Sequence, residues 1–298
     1  MKNKVVVTGA NGFIGNYVTS ELVKKGAEVL ALNGKGFEVT NNNVKNCVVD
    51  ILNIDEIKSA FKDFQPDCIV HLAAIAAPTF GNIAMLYDIN VHGSENILDA
   101  VKEVCAEGTR VILTSTAGVY GNSGKDFIME ETCYNPQNHY SYSKMIMEYI
   151  SKNYKDCLDI KIIRPFNMIG RGQRTNFLVP KLVEAFVTKQ PVLKVGNLET
   201  QRDYVDVAFA SKVFAKMATD DNIKYDILNI CAGSTTKGSD ITRLLAELTG
   251  FSPKIEVNPE FLRKNEIMRM VGDSTKCFDF AGEDIRPIPI KQILENMI

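Results

Sequence analysis

No stretch of this sequence approaches the ~20 consecutive apolar residues that cross a membrane, so no membrane partner is expected. Neither sign of charge is in excess, since 34 Lys and Arg face 36 Asp and Glu for a formal net charge of -2. That balance gives the whole molecule no attraction for nucleic acid or anionic lipid. Histidine is scarce: there are three, and none stands at metal-ligand spacing from another His or a Cys, so no metal is expected. The seven cysteines (47, 68, 105, 133, 157, 231 and 277) are scattered, odd in number and without a Cys-x-x-Cys pair. Reduced thiols in a cytoplasmic protein follow more readily than disulfides or a zinc site. Met1-Lys2-Asn3-Lys4 runs straight into Val5-Val6-Val7, which leaves no room for a signal peptide. Internal repeats and low-complexity linkers are missing too.

What is present is ordinary globular material: 298 residues, 45% of them hydrophobic. At roughly 150 residues per domain this suggests two domains, or one large α/β domain with an appended lobe. The first half alternates strand and helix. Strands are expected at 5–8, 28–32, 46–50, 68–72, 110–115 and 160–164, with helices at 14–25, 55–64, 90–104 and 140–154. Short apolar strands alternating with helices indicate a parallel, doubly wound sheet covered on both faces. After Pro165 the pattern loosens: helices fit 178–188, 205–217 and 239–248, strands fit 191–195 and 226–231, and the tail reads as irregular. The expectation is therefore a dinucleotide-binding domain over 1–165 and a smaller substrate lobe over 166–298, with 205–231 returning to the first domain.

Thr8-Gly9-Ala10-Asn11-Gly12-Phe13-Ile14-Gly15 lies between the first strand and the first helix. Glycines there allow a tight turn and close backbone approach to a diphosphate, which the helix N-terminus stabilises. The spacing is Gly-x-x-Gly-x-x-Gly rather than the commoner Gly-x-Gly-x-x-Gly. Its place at the first strand–turn–helix favours a dinucleotide site over a plain tight turn. At the end of the second strand, Asn33 stands where an acid would grip the adenosine ribose and select NAD, and Lys35 follows. This leans toward NADP(H) over NAD(H), although Lys35 also fits an ordinary surface lysine. Asp50-Ile51 either caps the adenine or opens the next helix.

Tyr140 and Lys144 are one helical turn apart and so share a face. An ammonium nearby would lower the phenol's pKa and make Tyr140 a usable acid or base. Tyr142 reads equally well as packing. Thr114, Ser115 and Thr116 leave the fifth strand at its carboxyl end, where doubly wound sheets bind ligands. Thr116 is the hydroxyl best suited to bond a substrate oxygen, while Thr114 and Ser115 also fit a satisfied strand end.

These segments occur in order with His71-Leu72-Ala73-Ala74, Asn90-Val91-x-Gly93-x-x-Asn96, Tyr120-Gly121 and Arg164-Pro165-Phe166-Asn167…Gly170-x-Gly172-Gln173. Over essentially its whole length the chain thus resembles the extended short-chain dehydrogenase/reductase superfamily, whose members act on nucleotide-diphosphate sugars. The resemblance implies a Rossmann-type fold, a homodimer formed through helices of the first domain, and Tyr140 as acid/base. Lys144 would hold the nicotinamide ribose and Thr116 would assist. It also implies cofactor contacts from the Gly9–Gly15 turn, Asn33, Lys35, Asp50 and Ile51. Leu72, Ala73, Ala74, Asn90, Thr114 and Pro165 would complete them.

The second half is most similar to GDP-4-keto-6-deoxymannose reductases and their GDP-mannose 4,6-dehydratase relatives, through Val195-Gly196-Asn197-Leu198-x-x-x-Arg202-Asp203-Tyr204, Asn229-Ile230-Cys231-Ala232-Gly233 and Gly272-Asp273-Ser274-Thr275-Lys276. That similarity implies that Asn167 and Arg202 bind diphosphate, that Arg263 and Glu266 hold phosphate and nucleoside ribose, and that Val179 and Lys194 face the substrate. Arg171 and Arg174 either join them or lie on a solvated loop. Guanidinium forks suit phosphate oxygens. The dehydratases carry an acid just after the active-site threonine, where this chain has Ala117 and Gly118. This argues against dehydration and for a cytoplasmic NAD(P)H-dependent reductase of a nucleotide-linked 4-keto-6-deoxy sugar. A 4-epimerase with tightly bound NAD and a non-catalytic dinucleotide sensor are the rivals. Three departures from the family pattern, Phe209, Lys264 and His139, bear on the identity of the sugar and base.

Overall fold

A central sheet of seven strands runs in the order β11 (Ile227–Ile230), β6 (Asp159–Pro165), β5 (Arg110–Thr114), β4 (Cys68–His71), β1 (Lys4–Thr8), β2 (Glu28–Asn33) and β3 (Val44–Val48) in a computed structural model that describes residues 3–34, 36, 39, 43–76, 80–262 and 266–298. Contacts divide the chain into two units. The first comprises Met1–Gly121, Cys133–Pro165 and Ser211–Leu228, and the second Asn122–Thr132, Phe166–Ala210 and Asn229–Ile298.

In the first unit, β1 (Lys4–Thr8), α1 (Phe13–Lys24), β2 (Glu28–Asn33), β3 (Val44–Val48), α2 (Ile54–Phe64) and β4 (Cys68–His71) follow one another. Next come α3 (Ile83–Tyr87), a wide π turn at Asp88–His92, α4 (Gly93–Val104), β5 (Arg110–Thr114), α5 (His139–Ser151) and β6 (Asp159–Pro165). The β1–β2, β1–β4, β2–β3, β4–β5 and β5–β6 pairs are all parallel. β1 lies between β2 and β4, so the winding direction reverses there and opens a crevice at the carboxyl ends, as in Rossmann-type doubly wound folds. β1, β2, β4, β5 and β6 form as short apolar runs buried on both faces, while β3 is a largely exposed edge strand, and α2 and α4 press their apolar stripes (Ile57, Phe61, Phe64; Ile97, Leu98, Val101) against the sheet. Asn53 caps α2, its Oδ1 accepting from the Asp55 and Glu56 amides, which leaves Asp50 free of the capping role. The Asp50 carboxylate instead accepts from the Leu52 amide at 3.0 Å. The helix expected at 90–104 begins earlier, because Asn82 caps α3 and the π turn carries the chain on into α4.

The second unit holds β7 (Asn167–Ile169), α6 (Leu178–Val187), β8 (Val192–Val195), β9 (Gln201–Arg202) and β10 (Tyr204–Asp206). α7 (Val207–Thr219) and β11 (Ile227–Ile230) lead from and back to it. Then come β12 (Thr236–Lys237), α8 (Gly238–Thr249), β13 (Lys254–Val257), β14 (Arg269–Met270), α9 (Thr275–Ala281) and α10 (Ile290–Met297). Its strands pair as β12-β9-β14, β10-β7 and β13-β8. The core is built from Val179, Leu182, Val183 and Phe186 of α6, Ile241 and Leu245 of α8, and Ile293 and Leu294 of α10. Val179 is 2% exposed in that stripe. It therefore packs the core rather than facing a substrate, because positions 179, 182, 183 and 186 form the inward face of one helix.

The structure departs from the sequence expectation in two further ways. The tail read as irregular contains two strands and two helices. Strands of two to four residues are too short to show a period, and they form only where a partner strand exists. Segment 122–132, placed with the first domain by the sequence, belongs to the second unit. Ile128 pairs with Gly272 there, its amide donating to Val271 at 2.9 Å and its carbonyl accepting from Asp273 at 2.9 Å. Glu130 accepts from the Asn229 amide at 2.9 Å. Such pairing across more than a hundred residues leaves no local signature in the chain. Among the described residues, no helix is long and apolar enough to cross a membrane.

Candidate active site

The glycine-rich turn is dictated by space. Gly9 has φ +64°, and a Cβ there would come within 2.9 Å of the Ala73 backbone. At Gly15 the added atom would lie 2.2 Å from the Gly9 carbonyl oxygen. The turn is locked by the Gly12 amide donating to the Gly9 carbonyl (2.9 Å) and the Gly9 amide donating to Leu32 (2.9 Å). The Asn11 amide donates to the Asn33 side-chain oxygen at 3.0 Å. Phe13 and Ile14 open α1. The backbone therefore stands bare at a helix N-terminus, the geometry that receives a diphosphate. Ile51 accepts from the Asn96 side chain at 3.0 Å, and it packs where a Cβ on Gly93 would collide with it.

Thr8, at the end of β1, joins this turn to the end of β4. Its hydroxyl accepts from the Leu72 and Ala73 amides (3.1 Å each) and bonds His71 Nδ1 at 2.8 Å. Ser94 donates to the Asn90 carbonyl (2.7 Å) and meets His71 Nε2 at 3.0 Å. With the Ser94 proton already committed, Nε2 carries the imidazole proton and Thr8 donates to Nδ1. His71 is thus neutral; burial, then the charge of Lys144, pushes it down to about 3. Asn90, in the π turn, holds the Ile75 amide (2.8 Å) and carbonyl (3.2 Å) and donates to Ser143 of α5 (3.0 Å). It fastens the strand-end loop to the helix that carries Tyr140. Ala74 lies half-buried within that loop.

α5 begins where Asn138 accepts from the Ser141 amide at 2.9 Å, which puts Tyr140 in the first turn and Lys144 one turn on. His139, where the family usually has proline, bonds Tyr87 of α3 through Nδ1 at 3.2 Å, and the two rings meet edge-on at 5.9 Å. Thr116 caps the short turn Ala117–Tyr120, its hydroxyl accepting from the Gly118 amide at 3.1 Å. Tyr140 and Thr116 share a hydrogen bond. Burial pushes the Tyr140 phenol up to about 12, only partly opposed by Thr116. This corrects the expectation of a phenol lowered by Lys144. The Lys144 ammonium contacts the Met147 sulfur at 4.0 Å, and it is burial that sets the phenol. Lys144 is 2% exposed, and burial drives it down to about 8 against the pull of Glu148. Ala117 is buried, and a Cβ on Gly118 would lie 2.5 Å from Ser141 Oγ. Neither position after Thr116 carries a carboxylate.

Three buried polar groups along the carboxyl ends of the sheet and α5 lack a strong partner. The Asn33 amide nitrogen and the Thr114 hydroxyl make no hydrogen bond, and Lys144 has only the thioether. Hydroxyls and phosphate oxygens of a dinucleotide laid over this edge would satisfy all three, so the residues fit such a cofactor. Pro165 ends β6 on the same side of the sheet.

Of the residues proposed to bind substrate, Asn167 opens β7 and donates to the Asp203 carbonyl (3.2 Å), beside Arg202 on β9. The Asp203 carboxylate gathers the Ala232, Gly233 and Gly272 amides and sets the chain on either side. Arg174 and Lys194 are exposed, and Glu266 is half-buried. Lys35 and Arg263 lie outside the described residues, as does Lys264. Sequence reasoning missed Glu148 and Arg164, which are buried behind Lys144 and Thr116. The spacing of Glu148, four residues past Lys144, was the available signal.

The family model for the NAD dependent epimerase/dehydratase family matches residues 5–231. A GDP-6-deoxy-D-talose 4-dehydrogenase from Aggregatibacter actinomycetemcomitans is 34% identical over 99% of this chain and 96% of its own. A GDP-6-deoxy-D-mannose reductase from Pseudomonas aeruginosa is 26% identical over 100% and 97%. A UDP-glucose 4-epimerase from Thermus thermophilus, solved with NAD, shares the fold at a TM-score of 0.86 and 23% identity, over 99% of this chain and 97% of that one. The glycine turn, the Tyr140–Lys144 helix and a match over three-quarters of the sequence agree, and the chain belongs to the NAD dependent epimerase/dehydratase family.

Proposed function

We propose that this protein is an NAD(P)H-dependent reductase of the C4 ketone of a GDP-linked 4-keto-6-deoxy sugar. The observation that carries the reading is an acid standing without a second one. Tyr140 is protonated against Thr116, and the two positions after Thr116, where elimination would need a carboxylate, are Ala117 and Gly118. The relatives support the sugar. One is named a 4-dehydrogenase of GDP-6-deoxy-D-talose, and a site that lowers the barrier to oxidation at C4 lowers it equally for the reverse reduction. The other is named for GDP-6-deoxy-D-mannose, the C4 epimer, so the two products differ only in the face of C4 that is reduced.

In this reading the bare backbone of the Gly9–Gly15 turn receives the cofactor diphosphate. Asn33, Asp50 and Ile51 receive the adenosine end; Thr114, Lys144 and Pro165 border the nicotinamide end. Bound NAD(P)H supplies a hydride to the sugar. Thr116 bonds the ketone oxygen, and Tyr140 gives its proton to the same oxygen as negative charge develops there. Lys144 supplies positive charge behind the phenol and holds ribose hydroxyls. Asn167, Arg202, Arg263 and Glu266 would bind the nucleoside diphosphate, and Arg174 and Lys194 would add positive charge for it.

Purified protein incubated with NADPH or NADH and enzymatically prepared GDP-4-keto-6-deoxymannose is expected to oxidise the cofactor. NMR of the product would report the configuration at C4. Absence of cofactor oxidation with this and other nucleotide-linked keto sugars would overturn the reading. Tightly bound NAD together with sugar inversion and no net oxidation would make it an epimerase.

Asn33 also predicts the cofactor. Its oxygen is occupied by the Asn11 amide, leaving the nitrogen as a donor for a phosphate oxygen. Asn33→Asp puts a carboxylate there that accepts ribose hydroxyls and repels a 2′-phosphate. The NADPH-to-NADH affinity ratio, read by fluorescence titration, is expected to fall about tenfold or more (about 1.4 kcal/mol).

A further inference from the structure

Glu148 of α5 and Arg164 of β6 form an ion pair that is almost wholly sealed from solvent, at 0% and 1% exposure. Arg164 Nε donates to both carboxylate oxygens (3.0 and 3.2 Å) and Nη2 to Oε2 at 2.6 Å. The rest of the guanidinium is spoken for by tyrosines: Nη1 donates to Tyr120 Oη and Nη2 to Tyr134 Oη, each at 2.7 Å, and both rings have their centroids 5.0 Å from it. Tyr134 donates onward to Glu148 Oε2 (2.7 Å), and Ser115 donates to Oε1. A buried ion pair is in general no more stabilising than apolar side chains of the same volume, so stability alone is a poor reason for such a network.

Its endpoints suggest a different one. Ser115 immediately precedes Thr116. Tyr120 closes the short turn that Thr116 caps. Glu148 lies one helical turn beyond Lys144 and two beyond Tyr140. Ser115, Tyr120 and Glu148 therefore each lie within a residue or a turn of one of the three groups that would act on the ketone.

We propose that Glu148 and Arg164 are positioning residues: together they fix the Thr116 turn against α5, and Glu148 supplies the negative charge that keeps the buried Lys144 ammonium charged. This rests on the role given to Lys144 under the proposed function. The surroundings of Lys144 leave Glu148 as the source of that charge. His71 of β4 is neutral, the Tyr140 phenol is protonated, Tyr134 is engaged with the pair, and Arg164 is itself a cation. The direct contact of the ammonium is a sulfur at 4.0 Å. Burial lowers Lys144 and Glu148 raises it.

The test compares the wild type, Glu148→Gln, and the double variant Glu148→Gln/Arg164→Met. The double variant removes the guanidinium that Glu148→Gln would strand. The protein is labelled with 13C at the lysine Cε, the Lys144 signal is identified by its loss in Lys144→Arg, and its titration is followed by NMR beside thermal unfolding. Glu148→Gln is expected to lower Tm through the stranded guanidinium, and the double variant to recover it. In Glu148→Gln the Lys144 midpoint should fall by about one pH unit or more, the size of shift an adjacent opposite charge exerts, and in the double variant it should fall by less, because the like charge of Arg164 goes too. If Glu148→Gln does not fold, the double variant carries the comparison.

A folded Glu148→Gln with an unchanged midpoint would overturn the proposal, as would a folded double variant with no fall at all where the single variant does not fold. So would a double variant that does not fold, since the pair would then serve the fold and not Lys144. No substrate enters the measurement, so a protein that titrates as expected yet reduces no keto sugar sinks the proposed function and leaves the positioning pair standing.

Discussion

Tyr140→Phe is expected to lower kcat for ketone reduction by about 10²–10⁴-fold, the range that one positioned proton donor contributes. The dissociation constants of the cofactor and the sugar nucleotide should stay within about twofold, because the ring remains and only one hydroxyl is lost. That hydroxyl lies beside Thr116, and burial pushes it up to about 12. A phenol with so high a pKa stays protonated through the neutral range, which suits an acid and disfavours a base. Reduction should therefore be level from slightly acidic to neutral pH. It should then decline as pH rises past about 8, where Lys144 loses its proton. Oxidation of the alcohol by the same enzyme needs the phenolate and should rise with pH over that range. Stopped-flow traces of cofactor absorbance in both directions, for wild type and Tyr140→Phe, decide the matter. A variant retaining more than a tenth of the wild-type rate would remove Tyr140 from the chemistry.

The second large effect concerns the cofactor. Gly15→Ala adds a methyl 2.2 Å from the Gly9 carbonyl and 2.7 Å from Ala10, all of it backbone. No side chain can swing aside, so the turn or the start of α1 must move. Overpacking of this kind costs about 1–3 kcal/mol of stability. Displacing by about 1 Å a backbone meant to cradle a diphosphate can cost 10²-fold in function. Calorimetric titration of NAD(P)H should show binding weakened about a hundredfold, with a lowered Tm. Gly81→Ala is the control, since a Cβ at Gly81 meets nothing within 4 Å and should change neither quantity. Gly15→Ala with wild-type affinity would show that the turn does not touch the cofactor.

Much of this was legible in the chain. The alternation of strand and helix, the glycine turn and the Tyr140/Lys144 spacing are local features, encoded within one strand, one turn or one helical repeat. Sequence order was enough to place the first six strands of the sheet and the elements bearing Thr116, Tyr140 and Lys144. The electrostatics of the site were not legible. The chain suggested a lysine lowering a tyrosine, whereas burial raises the phenol, and the ammonium contacts the Met147 sulfur. Val179 looked available for a substrate until α6 turned it inward.

The sequence by itself therefore determined the family, the Rossmann-type sheet and the identity of the candidate reacting groups, because each is written in residues near one another along the chain. Tertiary structure alone decided which groups carry charge and which are held still. Ser115 and Tyr120, Tyr134, Glu148 and Arg164 come from four separate segments, and they meet only when β5, β6 and α5 close around them. Burial, which depends on everything packed around a group, then sets the proton on His71, Tyr140 and Lys144.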